Sequence, residues 1–260
     1  MLPEIVQRKQ KDLEQFIMPE YMRNNKQPLS LSTALTKGAN NTGVGIIAEI
    51  KRASPSKGWI KQDLDVSGRA VAYENGGADA ISVLTDEPYF KGSNIDLQSV
   101  RAATNLPILR KDFIVDERQI EESYRIGADA ILLIAAVLSG LQIQSFTEKA
   151  QHFGLEVLVE VHNEDEIQEV FAYSQPELIG INNRNLKTFE TSIEKTKTLA
   201  DYVPKTCTIV SESGIHSRED ASFVRGAGAK ALLVGEHLVK SGDPREAIRD
   251  LKAGASEHVH

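Results

Sequence analysis

The chain reads as an α/β protein, a (β/α)8 TIM barrel with an N-terminal helical extension, and three observations predict it. From Ile46 onward, short apolar runs alternate with amphipathic stretches in eight units of about 25 residues each. Three segments, NGGADAISVL, RIGADAILLI and GAGAKALLVG, repeat a helix-ending glycine, a turn and a strand. Their glycines, Gly77, Gly127 and Gly228, stand 50 and 101 residues apart, two units and then four, leaving a missing member near residue 177 at PELIGIN. An eightfold barrel gives that rhythm; an open doubly wound sheet of five or six strands does not. The third observation is charge at the ends of the runs, which is where such barrels carry reactive groups.

Taken in order, residues 3 to about 36 read as mostly polar helix, with Leu13, Phe16, Ile17 and Tyr21 spaced as one apolar stripe. Pro28, followed by Ser30 and Ser32, breaks it and starts a second short helix. This extension, residues 1–45, is expected to pack outside a barrel core of 46–254, the whole of 1–260 forming one domain. The first strand, Ile46–Lys51, is apolar except for Glu49 and Lys51. Two residues apart on a strand, they point to the same side. In a parallel strand covered on both faces that side is interior, where an unpaired charge costs several kcal/mol. A structural ion pair would explain it, and so would a reactive pair. Further strands are expected at Ala80–Leu84, Pro107–Lys111, Ala130–Ile134, Glu156–Val161, Leu178–Asn182, Thr208–Ser211 and Ala231–Gly235. Helices between them include Val66–Asn75, Glu117–Ile126, Leu141–Phe153, Glu164–Tyr173 and Arg218–Arg225.

The bulk properties exclude several classes. Lys and Arg number 30 against 37 Asp and Glu, a balance of −7 without the basic surface that nucleic acid or an anionic membrane would need. Ala130–Leu138, the longest apolar run, is too short to span a bilayer, and the start MLPEIVQRKQ has no apolar signal core. The lone cysteine, Cys207, reads as a small buried hydrophobe in a reducing cytoplasm; no Cys/His pattern marks a metal site, and no cofactor is expected.

The strand ends carry the chemistry. Glu49 and Lys51 end the first strand; Arg110, Lys111 and Asp112 the third; Glu160 the fifth; Asn182, Asn183 and Arg184 the sixth; Ser211, Glu212 and Ser213 the seventh. One charged strand end is a solvated loop start. Five converging on one face point to acids and bases that tune one another. A phosphate site is expected beside them. Ser213-Gly214 after the seventh strand and Gly235-Glu236 after the eighth offer glycines and a short helix over 236–239, with Ser54 of the first loop as a third donor. A bulkier residue at Gly235 should therefore raise KM and leave kcat nearly alone. The glycines of GAGA at 226–229 precede a strand and read as helix caps.

Together EIKRASPSKG, LTDEPYFKGS, LRKDFIVDERQI, LVEVH, GINNRNL, SESGI and LVGEHL resemble the indole-3-glycerol phosphate synthase family, in order, over about residues 46–240. The resemblance implies ring closure of 1-(2-carboxyphenylamino)-1-deoxyribulose 5-phosphate with loss of CO2 and water, and no expected catalytic position departs from it. By that resemblance Lys51 pairs with the substrate carboxylate and Lys111 fits a general acid, their division of proton transfers left open. Glu160 takes the base role, Glu49 and Glu212 orient the lysines and substrate, and Asn182 hydrogen-bonds it. Arg184 adds positive charge; Phe113, Leu132 and Leu186 are candidates for an apolar wall against the aromatic ring, each otherwise ordinary core. A monomer is expected, with an anionic sugar phosphate as its only partner.

Other residues read blandly. His162 is expected as a loop or helix-cap residue rather than a catalyst, Trp59 as an outer anchor of the first loop, and His258 and His260 as polar tail. A phosphoribosylanthranilate isomerase-like barrel would need a Cys/Asp acid–base pair at strand ends, yet Cys207 begins its strand. A non-catalytic barrel would have replaced one of these lysines or glutamates.

Overall fold

Eight parallel strands close on themselves in sequence order, with the eighth pairing the first. The computed structural model describes residues 2–20, 23 and 27–256; Tyr21, His258 and His260 lie outside the described residues. The strands are β1 Gly45–Ile50, β2 Ala80–Leu84, β3 Ile108–Lys111, β4 Ala130–Ile134, β5 Glu156–Val161, β6 Leu178–Asn182, β7 Thr208–Glu212 and β8 Ala231–Val234. Each departs by at most a residue or two from the run expected for it, because a strand buried on both faces reads as a near-continuous apolar run, broken here mainly by the polar groups near its C-terminal end.

Alternation sorts every strand into two faces. Ile47, Leu109, Leu132, Leu158, Val210 and Leu233 fill the barrel interior. Ile46, Ile81, Leu133, Val159, Ile181 and Leu232 pack against the helices outside. The repeated glycines Gly77, Gly127 and Gly228 cap their helices with φ of 92°, 101° and 105°, the left-handed conformation that only glycine enters without strain. The fourth member of the repeat has no glycine. Its helix, Glu164–Tyr173, ends on Ser174 in extended backbone, two residues before Pro176.

The same repeat hides a second device. Asp79 and Asp129, equivalent residues of GADA, each accept an N–H at the start of the preceding odd strand: Ile46 N to Asp79 Oδ2 at 2.8 Å, and Ile108 N to Asp129 Oδ2 at 2.8 Å. Asp129, wholly buried, also pairs with Arg23 at 3.2 Å and Arg101 at 2.8 Å. These carboxylates pin the N-terminal rim of the barrel, far from the charged strand ends.

The extension departs from expectation. Its first helix, Leu2–Asp12, runs into a short 3-10 turn at Leu13–Gln15 and stops before Pro19. The apolar stripe does not form: Leu13 is buried but Ile17 is 86% exposed, since helical spacing lapses where the helix ends. Nor does the extension lie outside the barrel. Leu2 and Ile5 reach the cavity at the C-terminal mouth, and Lys9 bridges Asp86 at 2.8 Å and Asp112 at 2.7 Å. At the opposite end the helix Leu31–Thr42, capped by Ser30, drives Leu31 and Leu35 into the interior cluster. Apolar burial at one end and a buried ion pair at the other hold the extension across both openings.

Cys207 also differs from the buried hydrophobe expected. It is half-buried and its thiol donates to Pro176 O at 3.1 Å, because it sits on the rim before β7. Burial pushes its pKa up.

Candidate active site

Strand parity decides which strand-end residues enter the cavity. Counting outward from the interior positions places Glu49, Lys51, Lys111, Glu160, Asn182, Glu212 and Gly235 on the inner face, and all seven line one cavity at the C-terminal mouth. Neighbours of the opposite parity turn outward and lock loops. Asn183 donates to Ser211 Oγ and Ser213 O, both at 3.0 Å, and accepts from Thr196 Oγ1 at 2.8 Å. Arg110 is buried among Glu122, Asp112 and Ser123. Asp112 is held at about 2: burial pushes it up, and the charges of Lys9 and Arg110 pull it well below the usual carboxylate range.

At the centre, Lys111 Nζ lies 3.1 Å from Glu160 Oε2 and 3.4 Å from Glu212 Oε2. Burial pulls its pKa down, but Glu160, Glu212 and Glu49 outweigh burial and hold it above the ordinary lysine value. The ammonium therefore stays charged in an almost dry site. The two carboxylates beside it part ways. Burial pushes Glu160 up, yet Lys111, His162 and Asn182 bring it far below the usual range. Glu212 is raised to about 8: burial and the Glu160 and Glu49 charges outweigh Lys111. Glu160 is thus the anion and Glu212 the carboxyl that keeps its proton at neutral pH.

Lys51 pairs with Glu49 Oε1 across the mouth. Two interior glycines make room for these acids. A Cβ at Gly180 would collide with Glu212 Oε1, and one at Gly235 with Glu49 Oε1. Gly235 is therefore small for a second reason, to admit Glu49. Its φ of −118° is open to any residue, so the constraint is space alone.

The remaining predicted residues gather around this centre. Leu132, Phe113 and Leu186 line the cavity, joined by Ile134, Phe90 and Phe189. Phe90 and Phe113 ring centroids are 6.1 Å apart. Phe90 sits inside LTDEPYFKGS, but nothing in its spacing marked it for the cavity, because loops have no period. Ser54, Ser213, Gly214 and Glu236 line it as well. Ser213 and Gly214 both have left-handed backbone, φ 68° and 79°, and among the described residues neither N–H donates to a backbone carbonyl. Such a turn offers donors to an anion. The Glu236 carboxylate is turned away to Lys240 at 2.6 Å. Arg184 holds the loop after β6 through Phe189 O at 3.1 Å, and its N–H fixes Asn182 Oδ1 at 3.0 Å. The first loop is a small antiparallel ribbon, Ala53–Ser54 with Gly58–Trp59, tied to the helix Asn94–Ala103 by Arg52 and Asp96. Trp59, half-exposed, stays outside the cavity.

His162 departs most from its bland reading. It does precede the Asn163 cap of the helix Glu164–Tyr173, yet its Nε2 lies 3.2 Å from Glu160 Oε1. Among the described residues no group of three or more His, Cys, Asp or Glu is arranged to hold a metal ion, and no helix is long and apolar enough to cross a membrane.

Comparison with known proteins is consistent across sequence and fold. The family model described as indole-3-glycerol phosphate synthase matches residues 2–251. The synthase of Halalkalibacterium halodurans is 47% identical over 254 residues, covering 98% of this chain and 97% of that protein. That of Priestia megaterium is 46% identical over 260 residues, covering 100% of each. Two solved barrels share the fold at low identity. Thiamine phosphate pyrophosphorylase from Pyrococcus furiosus has a TM-score of 0.64 at 16% identity, over 89% of this chain and 100% of that one. 3-Hexulose-6-phosphate synthase from Salmonella typhimurium has a TM-score of 0.65 at 15% identity, over 82% of this chain and 99% of that one.

Proposed function

The chain belongs to the indole-3-glycerol phosphate synthase family, and from that premise we propose how its residues divide the reaction. It is a carboxy-lyase of tryptophan biosynthesis that closes 1-(2-carboxyphenylamino)-1-deoxyribulose 5-phosphate to indole-3-glycerol phosphate, CO2 and water. The observation that carries the division of roles is one ammonium, Lys111, held between Glu160 and Glu212 beside an apolar wall. The substrate's aromatic ring lies against Leu132, Phe113 and Leu186, its carboxylate meets Lys51, and its phosphate takes the backbone donors near Ser54, Ser213, Gly214, Gly235 and Glu236. Arg184 adds positive charge.

Lys111 donates a proton to the carbonyl oxygen as the ring carbon attacks it, and CO2 leaves with its bonding pair returned to the ring. Water is then lost: Lys51 or Lys111 protonates the departing hydroxyl while Glu160 removes a proton, and that electron pair forms the indole double bond. Glu49 keeps Lys51 in place, Glu212 orients Lys111 and the substrate hydroxyls, and Asn182 hydrogen-bonds the substrate. Every role is filled from one chain, which supports a monomer; the lone cysteine supports a reducing cytoplasm.

Two variants test this division. Lys111→Ala is expected to fold normally and lose about 10²- to 10⁴-fold in kcat, the usual worth of a general acid. Glu160→Gln should depress kcat and leave KM nearly intact, since the amide keeps the shape but takes no proton. Indole fluorescence reads both. Turnover of either within a few-fold of wild type would remove that residue from its role.

A further inference from the structure

Glu160 has two oxygens and only one faces the reaction. Oε2 meets Lys111, while Oε1 lies 3.2 Å from His162 Nε2, outside the cavity lining. The His162 ring is 7% exposed, and its other nitrogen, Nδ1, lies 3.1 Å from Glu166 Oε2. Glu166 is itself clamped. Its Oε2 accepts the His162 backbone N–H at 2.7 Å, its Oε1 accepts from Asn163 Nδ2 at 2.7 Å, and its own N–H is capped by Asn163 Oδ1 at 2.9 Å. The start of one helix thus fixes the acceptor that fixes the ring.

Nδ1 is hydrogen-bonded to Glu166, and the buried Nε2 stands at ion-pair distance from Glu160 without the alignment of a hydrogen bond. With a carboxylate beside each nitrogen the favoured form is the imidazolium, which alone has two N–H groups to offer. We propose that His162 is a positioning residue of the reaction: as a cation strung between Glu166 and Glu160, it holds Glu160 as a carboxylate anion with Oε2 turned toward Lys111 and the substrate. The proposal rests on the reading of Glu160 as the base. Once Lys111 has passed its proton to the substrate, His162 is the cation left on Glu160, so the carboxylate comes to the dehydration step unprotonated.

The surrounding charges fit. From inside the barrel Lys111 of β3, Glu212 of β7 and Glu49 of β1 face this cluster. From outside come Glu166 and, on the helix Glu194–Ala200, Lys195. Burial pushes the ring's pKa down, but Glu160 and Glu166 outweigh burial and raise it to about 9.

The test combines three variants with one measurement on the unmodified enzyme. His162→Gln keeps a donor toward Glu160 without the charge; His162→Leu loses both; Glu166→Gln weakens the clamp from outside the cavity. Both His162 variants should lower kcat with little change in KM, His162→Leu by about tenfold or more and His162→Gln by less. Both should also move the acid limb of kcat to higher pH, since a lost neighbouring cation lets Glu160 protonate sooner. Nitrogen NMR of the wild-type ring should show both nitrogens protonated at neutral pH, and Glu166→Gln should lower the pH at which the ring titrates. A neutral ring at neutral pH, or a loss carried by KM, overturns the proposal and does so even where a His162 variant fails to fold. If Glu160→Gln loses kcat while the His162 variants keep it, the positioning role alone fails. If Glu160→Gln keeps kcat, the base assignment fails first.

Discussion

A methyl group added at Gly235 would land on the Glu49 carboxylate, which is salt-bridged to Lys51. Gly235→Ala is therefore expected to lower kcat as well as raise KM, because moving Glu49 moves Lys51, and misplacement by about 1 Å can cost roughly 10²-fold. Steady-state kinetics decide it; a pure KM effect with full kcat would return Gly235 to the phosphate alone. The residue types were legible. Period-two alternation was enough to put Glu49 and Lys51 on one interior side, and it sorts Asn182 from Asn183 as well. The collision was not legible, since β1 and β8 meet only because the barrel closes. His162 is a different case: it follows Glu160 by two and precedes Glu166 by four, so its neighbours were local, and what the sequence left out was the direction in which the ring points.

At the scale of the element, the repeated GADA segment does two jobs, and only one was visible. Its glycines announced helix ends. Its aspartates act at a distance, each holding an N–H at the start of the preceding odd strand. Asp129→Ala is expected to cost about 3–5 kcal/mol, the range for breaking a buried charge pair, since it strips Arg101 of its carboxylate partner and the Ile108 N–H of its acceptor. Urea denaturation would measure the loss, and the folded fraction should turn over at the wild-type rate because the N-terminal rim carries no chemistry. A loss under about 0.5 kcal/mol, the range of an ordinary surface change, would contradict this. The N-terminal extension was the weakest part of the sequence reading. A polar helix shows its apolar stripe only when it has one uniform surface to cover. This one meets the cavity with Leu2 and Ile5 and a pair of aspartates with Lys9.

Across the whole molecule, an acidic chain of net charge −7 concentrates lysine where its anionic substrate must sit. The cost is a crowd of carboxylates around them, and Glu212 bears it, raised to about 8 by burial first and by Glu160 and Glu49 next. A carboxyl raised in the folded state stabilises the fold below its unfolded pKa, about 4.3 for glutamate, and loses that contribution as pH rises through about 8. Glu212→Gln removes the penalty. Its melting temperature should match wild type near pH 4 and exceed it increasingly toward pH 8, the stability difference reaching roughly 4 kcal/mol at neutral pH. Turnover should fall at the same time. A melting difference that stays flat with pH would show that Glu212 is ionised throughout.

Periodicity by itself determined the eight strands, their order and the face on which the acids and bases gather, because a strand's two faces are written at every second residue. The residues quoted for the family resemblance were equally local. What only the tertiary structure decided is contact between elements distant in sequence: Gly235 against Glu49, and Lys9 between Asp86 and Asp112. Those contacts follow from barrel closure and from how each helix and loop folds back onto its strand, and a one-dimensional period carries no record of either.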